Sequence, residues 1–343
     1  VSESVVYFVP PERARDGIGA MLETSGFLAR LKPKKRVGIK VHFGEQGNAN
    51  HLAPEFIRAA AVACSYHDLQ PVAIETTALY RGRRQLAAEH LKLAREHGFT
   101  ADVLLAPIEI LDGRRGERYY TVPLDSELVP AARLAHGLRR IGYIINMAHF
   151  KGHFVVGFGG VIKNLAMGLA AKAGKLEMHS GSKPFVDPDK CVSCGLCVDY
   201  CPHDAINFVQ YVAQIGRSCT GCGGCLTVCR QGAVRVNWDA ATETVQLRMV
   251  EYCRAVLAGR AVFHLNFCLR ITPNCDCYPQ TEKPVMEDIG LFGSSDPVAC
   301  EQAAWDRAGP ALGELYPHLK PELLIEAAER RGLGRRAYRM VTL

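Results

Sequence analysis

Apolar residues in the first half of the chain come in short β-branched runs separated by longer stretches with helical period. Runs at 5–9, 37–41, 71–75, 103–110 and 141–147 predict strands, and stretches at 53–64, 84–97 and 128–138 predict helices between them. Strands and helices in alternation predict an α/β fold, a mainly parallel sheet flanked by helices. The pattern breaks at two turn-forming segments, Gly181-Ser182-Lys183-Pro184 and Asp187-Pro188-Asp189. It resumes past residue 238 with helices at 242–258, 300–308 and 321–331 and a strand at 261–267. One clear strand is too little for a separate domain. The expected organisation is an α/β domain formed by 1–183 and completed by 239–343, with an insert over 184–238.

The insert holds eight of the chain's 14 cysteines, in two copies of one spacing. The first copy is Cys191-x-x-Cys194-x-x-Cys197-x-x-x-Cys201-Pro202; the second is Cys219-x-x-Cys222-x-x-Cys225-x-x-x-Cys229. The copies are offset by 28 residues and match beyond the cysteines, Gly195 with Gly223 and Ala205 with Ala233. This is the run that binds two [4Fe–4S] clusters. Three thiolates of a short loop reach three corners of a cubane, and the fourth corner is filled from the other copy. The expected sets are Cys191, Cys194, Cys197 and Cys229 for the first cluster, and Cys219, Cys222, Cys225 and Cys201 for the second. Zinc sites use two separated pairs rather than two tight quartets. The insert is therefore expected to be an α+β ferredoxin-like two-cluster module. Arg230 follows Cys229 where proline is usual, which alters the charge near a cluster but not its ligands.

Composition changes this picture little. The chain has 343 residues, 48% of them hydrophobic, enough for a sizeable core. The formal charge of +6 falls to roughly +2 once two oxidised clusters are counted. Such a balance argues against a nucleic-acid partner. The basic runs at 81–84 and 330–336 lack interleaved aromatics and read as solvated helix faces. No apolar run of 18 residues predicts a membrane span. The missing leader and the many thiols predict a reducing cytoplasm.

Four patches outside the insert carry possible chemistry. Lys40 and His42 alternate onto one face at the end of a strand, where open α/β sheets bind ligands. His149, Lys151, His153 and Lys163 follow the next such strand, among Gly157, Gly159 and Gly160. Glycines there let a backbone approach a ligand, and the following helix N-terminus favours an anion. The lysines suit a carboxylate or phosphate, and the imidazoles suit proton transfer or a metal. These six are the candidate catalytic residues. Cys275 and Cys277 flank Asp276 in a turn and form a possible additional metal or redox site. Asp296-Pro297 is read as a helix cap.

The strings KVHFGEQGN, ETTALYRG, HFKGH, GFGGVIKNLAMG, NCDCYP and DIGLFGSSDPVA together resemble domain-of-unknown-function family three-six-two. Many of its members carry such a ferredoxin insert. The resemblance implies a fused α/β and ferredoxin architecture and supplies no reaction. Two readings follow. One is an iron–sulfur oxidoreductase that passes electrons through two [4Fe–4S] clusters to or from a ligand, metal or partner site on the α/β domain. The other is a non-catalytic electron carrier or cluster-handling accessory protein. Both require a redox partner protein, and the first admits an anionic small molecule.

Overall fold

The computed structural model describes residues 3–80, 82–180, 183–201, 203–219, 221, 223–236 and 242–343. Cys222, Pro202, Arg81, Gly181, Ser182 and Trp238 lie outside the described residues.

An eight-stranded mixed sheet organises the chain. From one edge its strands run Tyr338–Thr342, Ser4–Val9, Gly290–Ser294, Ala261–Cys268, Tyr143–His149, Arg36–Lys40, Gln70–Glu75 and Ile108–Ile110. Neighbours pair in parallel except around Gly290–Ser294, which is antiparallel to both of its partners. Strands from both sides of 184–238 thus join one sheet, since Ala261–Cys268 pairs in parallel with Tyr143–His149.

Period-two alternation sends side chains to two cores. Ile145, Met147, Phe263, Leu265 and Phe267 pack beneath helices Ala14–Thr24 and Pro54–Tyr66. Ile144, Ala148 and Val262 face helices Val161–Leu169, Thr242–Leu257, Pro297–Leu315 and Glu322–Arg330. Both faces of the sheet are covered, which is why its central strands read as continuous apolar runs.

Two expectations about elements change. The stretch 128–138 has helical apolar spacing but forms strand Ala131–Ala135, antiparallel to Tyr119–Pro123, and then a 3₁₀ turn. Residues 103–110 divide between the short helix Ala101–Leu104 and the edge strand Ile108–Ile110. Asp296 caps its helix as read, accepting from the Val298 and Ala299 amides at 2.8 and 3.0 Å.

Segment 184–238 contains two antiparallel strand pairs, Phe185–Val186 with Val234–Arg235 and Ile206–Val209 with Val212–Ile215. Among the described residues it also contains two short helices, Leu196–Asp199 and Gly224–Val228. Each helix is entered through a left-handed glycine, Gly195 at φ 79° and Gly223 at φ 69°. Few residues other than glycine adopt that backbone readily, so the two copies share a conformation as well as a spacing. Gly223 packs against Leu79 and Leu176 of the large sheet unit.

Candidate functional site

Four neighbouring parallel strands end at one rim. Lys40, Glu75, His149 and Cys268 are their last residues. Between this rim and helix Val161–Leu169 lies a cavity of about 600 Å³, a size suited to a small molecule. Of the residues read as candidates, His42, Lys151, His153, Lys163, Cys275 and Cys277 line it.

Lys40 and His149 do not line the cavity. Lys40 is fully buried behind its wall, where its ammonium donates to Glu75 Oε1 and Asn164 Oδ1, both at 3.1 Å. Asn164 in turn donates to Asn146 Oδ1 at 2.8 Å and to the Met147 carbonyl at 3.0 Å. Lys40 thus locks helix 161–169 to the strand ends. His149 is held between Asp276 Oδ1 at 2.7 Å and the Leu269 carbonyl at 3.0 Å. Both residues support the cavity from outside.

The glycine-rich segment also differs from expectation. Glu301, from helix Pro297–Leu315, accepts from the Val161 and Ile162 amides at 3.0 and 3.2 Å. The helix N-terminus expected to receive a ligand anion is therefore satisfied by the protein's own carboxyl group. Burial raises that carboxyl to about 7. Gly160 makes room for Glu301, and Gly152 lets the Pro273 carbonyl come close.

Several contributors were not singled out in the sequence. Glu75 and Arg84 pair at 3.5 Å, and both line the cavity with Tyr80 and Lys175. Arg84, expected on a solvated helix face, is 5% exposed. It precedes helix Ala87–Glu96 and turns inward because Glu75 supplies its counter-charge. The signal available for Glu75 was its place at a strand end, the same signal that marked Lys40.

The lining residues include four lysine or arginine side chains, Arg84, Lys151, Lys163 and Lys175, against two carboxylates, Glu75 and Asp276. Burial pushes Glu75 up, but Lys40 and Arg84 outweigh it and hold the group at about 2. Asp276 is likewise driven up by burial, yet His149 and Lys151 hold it well below the usual carboxylate range. Its Oδ2 accepts from Lys151 at 3.1 Å. Burial and then Lys151 lower Lys163 to about 7. Lys163 has no carboxylate partner within salt-bridge distance among the described residues. Burial, reinforced by Lys163, keeps His153 neutral, and its Nδ1 accepts from the Val155 amide at 3.2 Å. Burial and Arg84 keep His42 neutral.

Cys275 and Cys277 are joined as a disulfide. As such they are not a thiolate pair able to ligate a metal. Among the described residues no group of three or more His, Cys, Asp and Glu side chains is gathered to hold a metal ion.

Segment 184–238 contains two smaller cavities. Cys191, Cys194, Cys197 and Cys229 line one. Cys201, Cys219 and Cys225 line the other. Backbone amides point at several sulfurs: Ala205 at Cys201 Sγ (3.3 Å), Ala233 at Cys229 Sγ (3.2 Å) and Ala213 at Cys191 Sγ (3.5 Å). Leu226, next to Cys225, reaches the wall of the large cavity.

Fold and cavity define a mixed, mostly parallel α/β protein with a cationic, ligand-sized site at its strand ends. The chain belongs to the family described as Domain of unknown function (DUF362), matched over residues 37–306. It is 35% identical over 54 residues to pyruvate synthase subunit PorD of Methanothermobacter marburgensis, 16% of this chain and 64% of that one. It is 38% identical over 52 residues to the NADH-dependent phenylglyoxylate dehydrogenase subunit delta of Aromatoleum evansii, 14% of this chain and 54% of that one. The chain spans less than two thirds of the length of the curated relatives it matches. Among solved structures, the lactate racemase apoprotein of Thermoanaerobacterium thermosaccharolyticum aligns over 87% of this chain and 56% of that one, with TM-score 0.44 and 14% identity. No helix among the described residues is long and apolar enough to cross a membrane.

Proposed function

We propose that the chain is an iron–sulfur redox protein. In this reading residues 184–238 are a ferredoxin-like insert holding two [4Fe–4S] clusters, and 1–183 with 239–343 form the α/β domain that holds an anionic ligand in its large cavity. The clusters, when bound, supply one-electron transfer.

One observation carries the reading. The two small cavities group the described cysteines as crossed ligation would require: Cys229 of the second copy lines one with Cys191, Cys194 and Cys197, while Cys201 of the first lines the other with Cys219 and Cys225. Sequence spacing predicts that exchange, and neither a zinc ribbon nor a set of disulfides requires it. A cubane takes one thiolate per iron, so its ligands lie farther apart than those of a single ion. Four cysteines lining the first cavity match the four ligands a cubane takes, and three line the second. Amide donors aimed at the sulfurs suit thiolates that carry negative charge. The relatives support the redox part of this reading, since one of them is named as a subunit of an NADH-dependent dehydrogenase.

The insert also gives the arrangement a direction. The Cys219–Cys229 copy packs through Gly223 and Leu226 on Leu79 and Leu176 beside the large cavity. Cys194 of the other copy is exposed. An external redox partner protein would thus meet the Cys191–Cys197 loop, with the other loop facing the ligand site.

Cys229→Ser tests the crossed assignment. Prepared without oxygen, this variant should lose or alter the cluster of Cys191, Cys194 and Cys197 and keep the spectrum of the other. Selective loss of the cluster of Cys219, Cys222 and Cys225 would contradict it.

A further inference from the structure

We propose that Cys275 and Cys277 form a redox-active disulfide that opens into the cationic cavity and exchanges with small anionic disulfides. Only the identity of its physiological electron source rests on the iron–sulfur reading above.

Three features carry the proposal. The bond joins residues two apart in sequence. Loop-closure stabilisation grows with the length of chain enclosed, so this bond is the least effective kind of staple. The loop is in any case fastened without it. Asn48 donates to the Tyr278 and Gln280 carbonyls at 3.0 and 3.2 Å, Glu282 receives the Asn274 side chain at 2.8 Å, and the Tyr316 hydroxyl donates to the Pro273 carbonyl at 2.7 Å. Second, both cysteines line the large cavity, and the same cavity is reached by Leu226 from the cysteine-rich segment. Third, the cavity's cations suit the chemistry. Nearby positive charge stabilises a thiolate, and stabilising the reduced form makes a disulfide easier to reduce. Lys151 is held against Asp276, the residue between the two cysteines.

Reduction consumes two electrons and two protons. The electrons enter the S–S bond, which breaks, and each sulfur takes one proton, from the Lys163 ammonium or from solvent. A low-potential one-electron carrier, used twice, or a dithiol supplies the electrons. The return step is thiol–disulfide exchange. Cys277 is half-buried and Cys275 is 3% exposed, so Cys277 is the attacking thiolate. It bonds one sulfur of the incoming disulfide and expels the other as a thiol. Cys275 then attacks Cys277, closes the internal disulfide and releases the second thiol. The cations favour a disulfide that carries carboxylates.

The test uses the full-length protein, prepared without oxygen and equilibrated with graded ratios of reduced to oxidised glutathione. Thiols are trapped by alkylation and counted by mass spectrometry on the peptide that contains Cys275 and Cys277. The proposal expects this peptide to move between zero and two alkylations as the ratio rises. Cys275→Ser should accumulate glutathione on Cys277, and Cys277→Ser should leave Cys275 unmodified. A pair that stays bonded at every ratio in the native protein is a structural disulfide and overturns the proposal. So do two sulfurs that resist both alkylation and bonding because they hold a metal. Iron and sulfide analysis of the same samples reports the cluster reading separately, so either idea can fail alone.

Discussion

Lys163 makes the charge of the cavity most sensitive to pH near neutrality, with Lys175 following at about 8. The Lys163 ammonium group, lowered to about 7, is charged below that value and neutral above it. An anion held there should bind well at pH 6 and about tenfold more weakly at pH 8, since one pH unit above the pKa leaves about a tenth of the ammonium. Sulfate suits the measurement because its own charge is constant over this range. Calorimetry should find the full loss in the native protein and only a smaller one in Lys163→Met, because Lys175 in the same cavity is lowered by burial to about 8; a native affinity that ignores pH would show that Lys163 does not meet the anion. At this scale residue types and strand-end positions were legible, and these led to His42, Lys151, His153 and Lys163. They could not reveal that Lys40 is consumed by Glu75, 35 residues away, or that Asp276 holds His149. Partners that far apart meet only through the sheet register.

Among elements, strands declared themselves more clearly than the segments between them. The central parallel strands are buried on both faces and so stand out as continuous apolar runs. Residues 128–138 were misleading because pairing with Tyr119–Pro123 overrides the local helical spacing. The helix Val161–Leu169 was legible as an anion-facing terminus, but Glu301 comes from another helix 140 residues downstream of Val161. The loop bearing Cys275 and Cys277 shows the same dependence. Its seat at Gly152, in the middle of the short strand Lys151–His153, requires a residue without a side chain, because a Cβ there would run into the Pro273 backbone. Gly152→Ala should destabilise the protein by about 1–3 kcal/mol as an overpacked position and displace this loop. Denaturant unfolding checks the first effect, and faster alkylation of Cys277 under reducing conditions checks the second. An unchanged unfolding midpoint would mean that the loop is not seated there.

Across the whole molecule, one sheet is assembled from chain on both sides of the cysteine-rich segment, and that segment packs beside the mouth of the cationic cavity. The cysteine spacing was the clearest signal in the sequence because its code is local: ligand positions within one copy are set by a few residues of loop. The large cavity was the least legible feature, since residues as far apart in sequence as His42 and Cys277 contribute to it. The central question is whether segment 184–238 carries two clusters. Iron and acid-labile sulfide, measured per chain on the whole protein purified without oxygen, test this most directly. About eight of each are expected; values near four, or zinc in their place, would contradict the two-cluster reading.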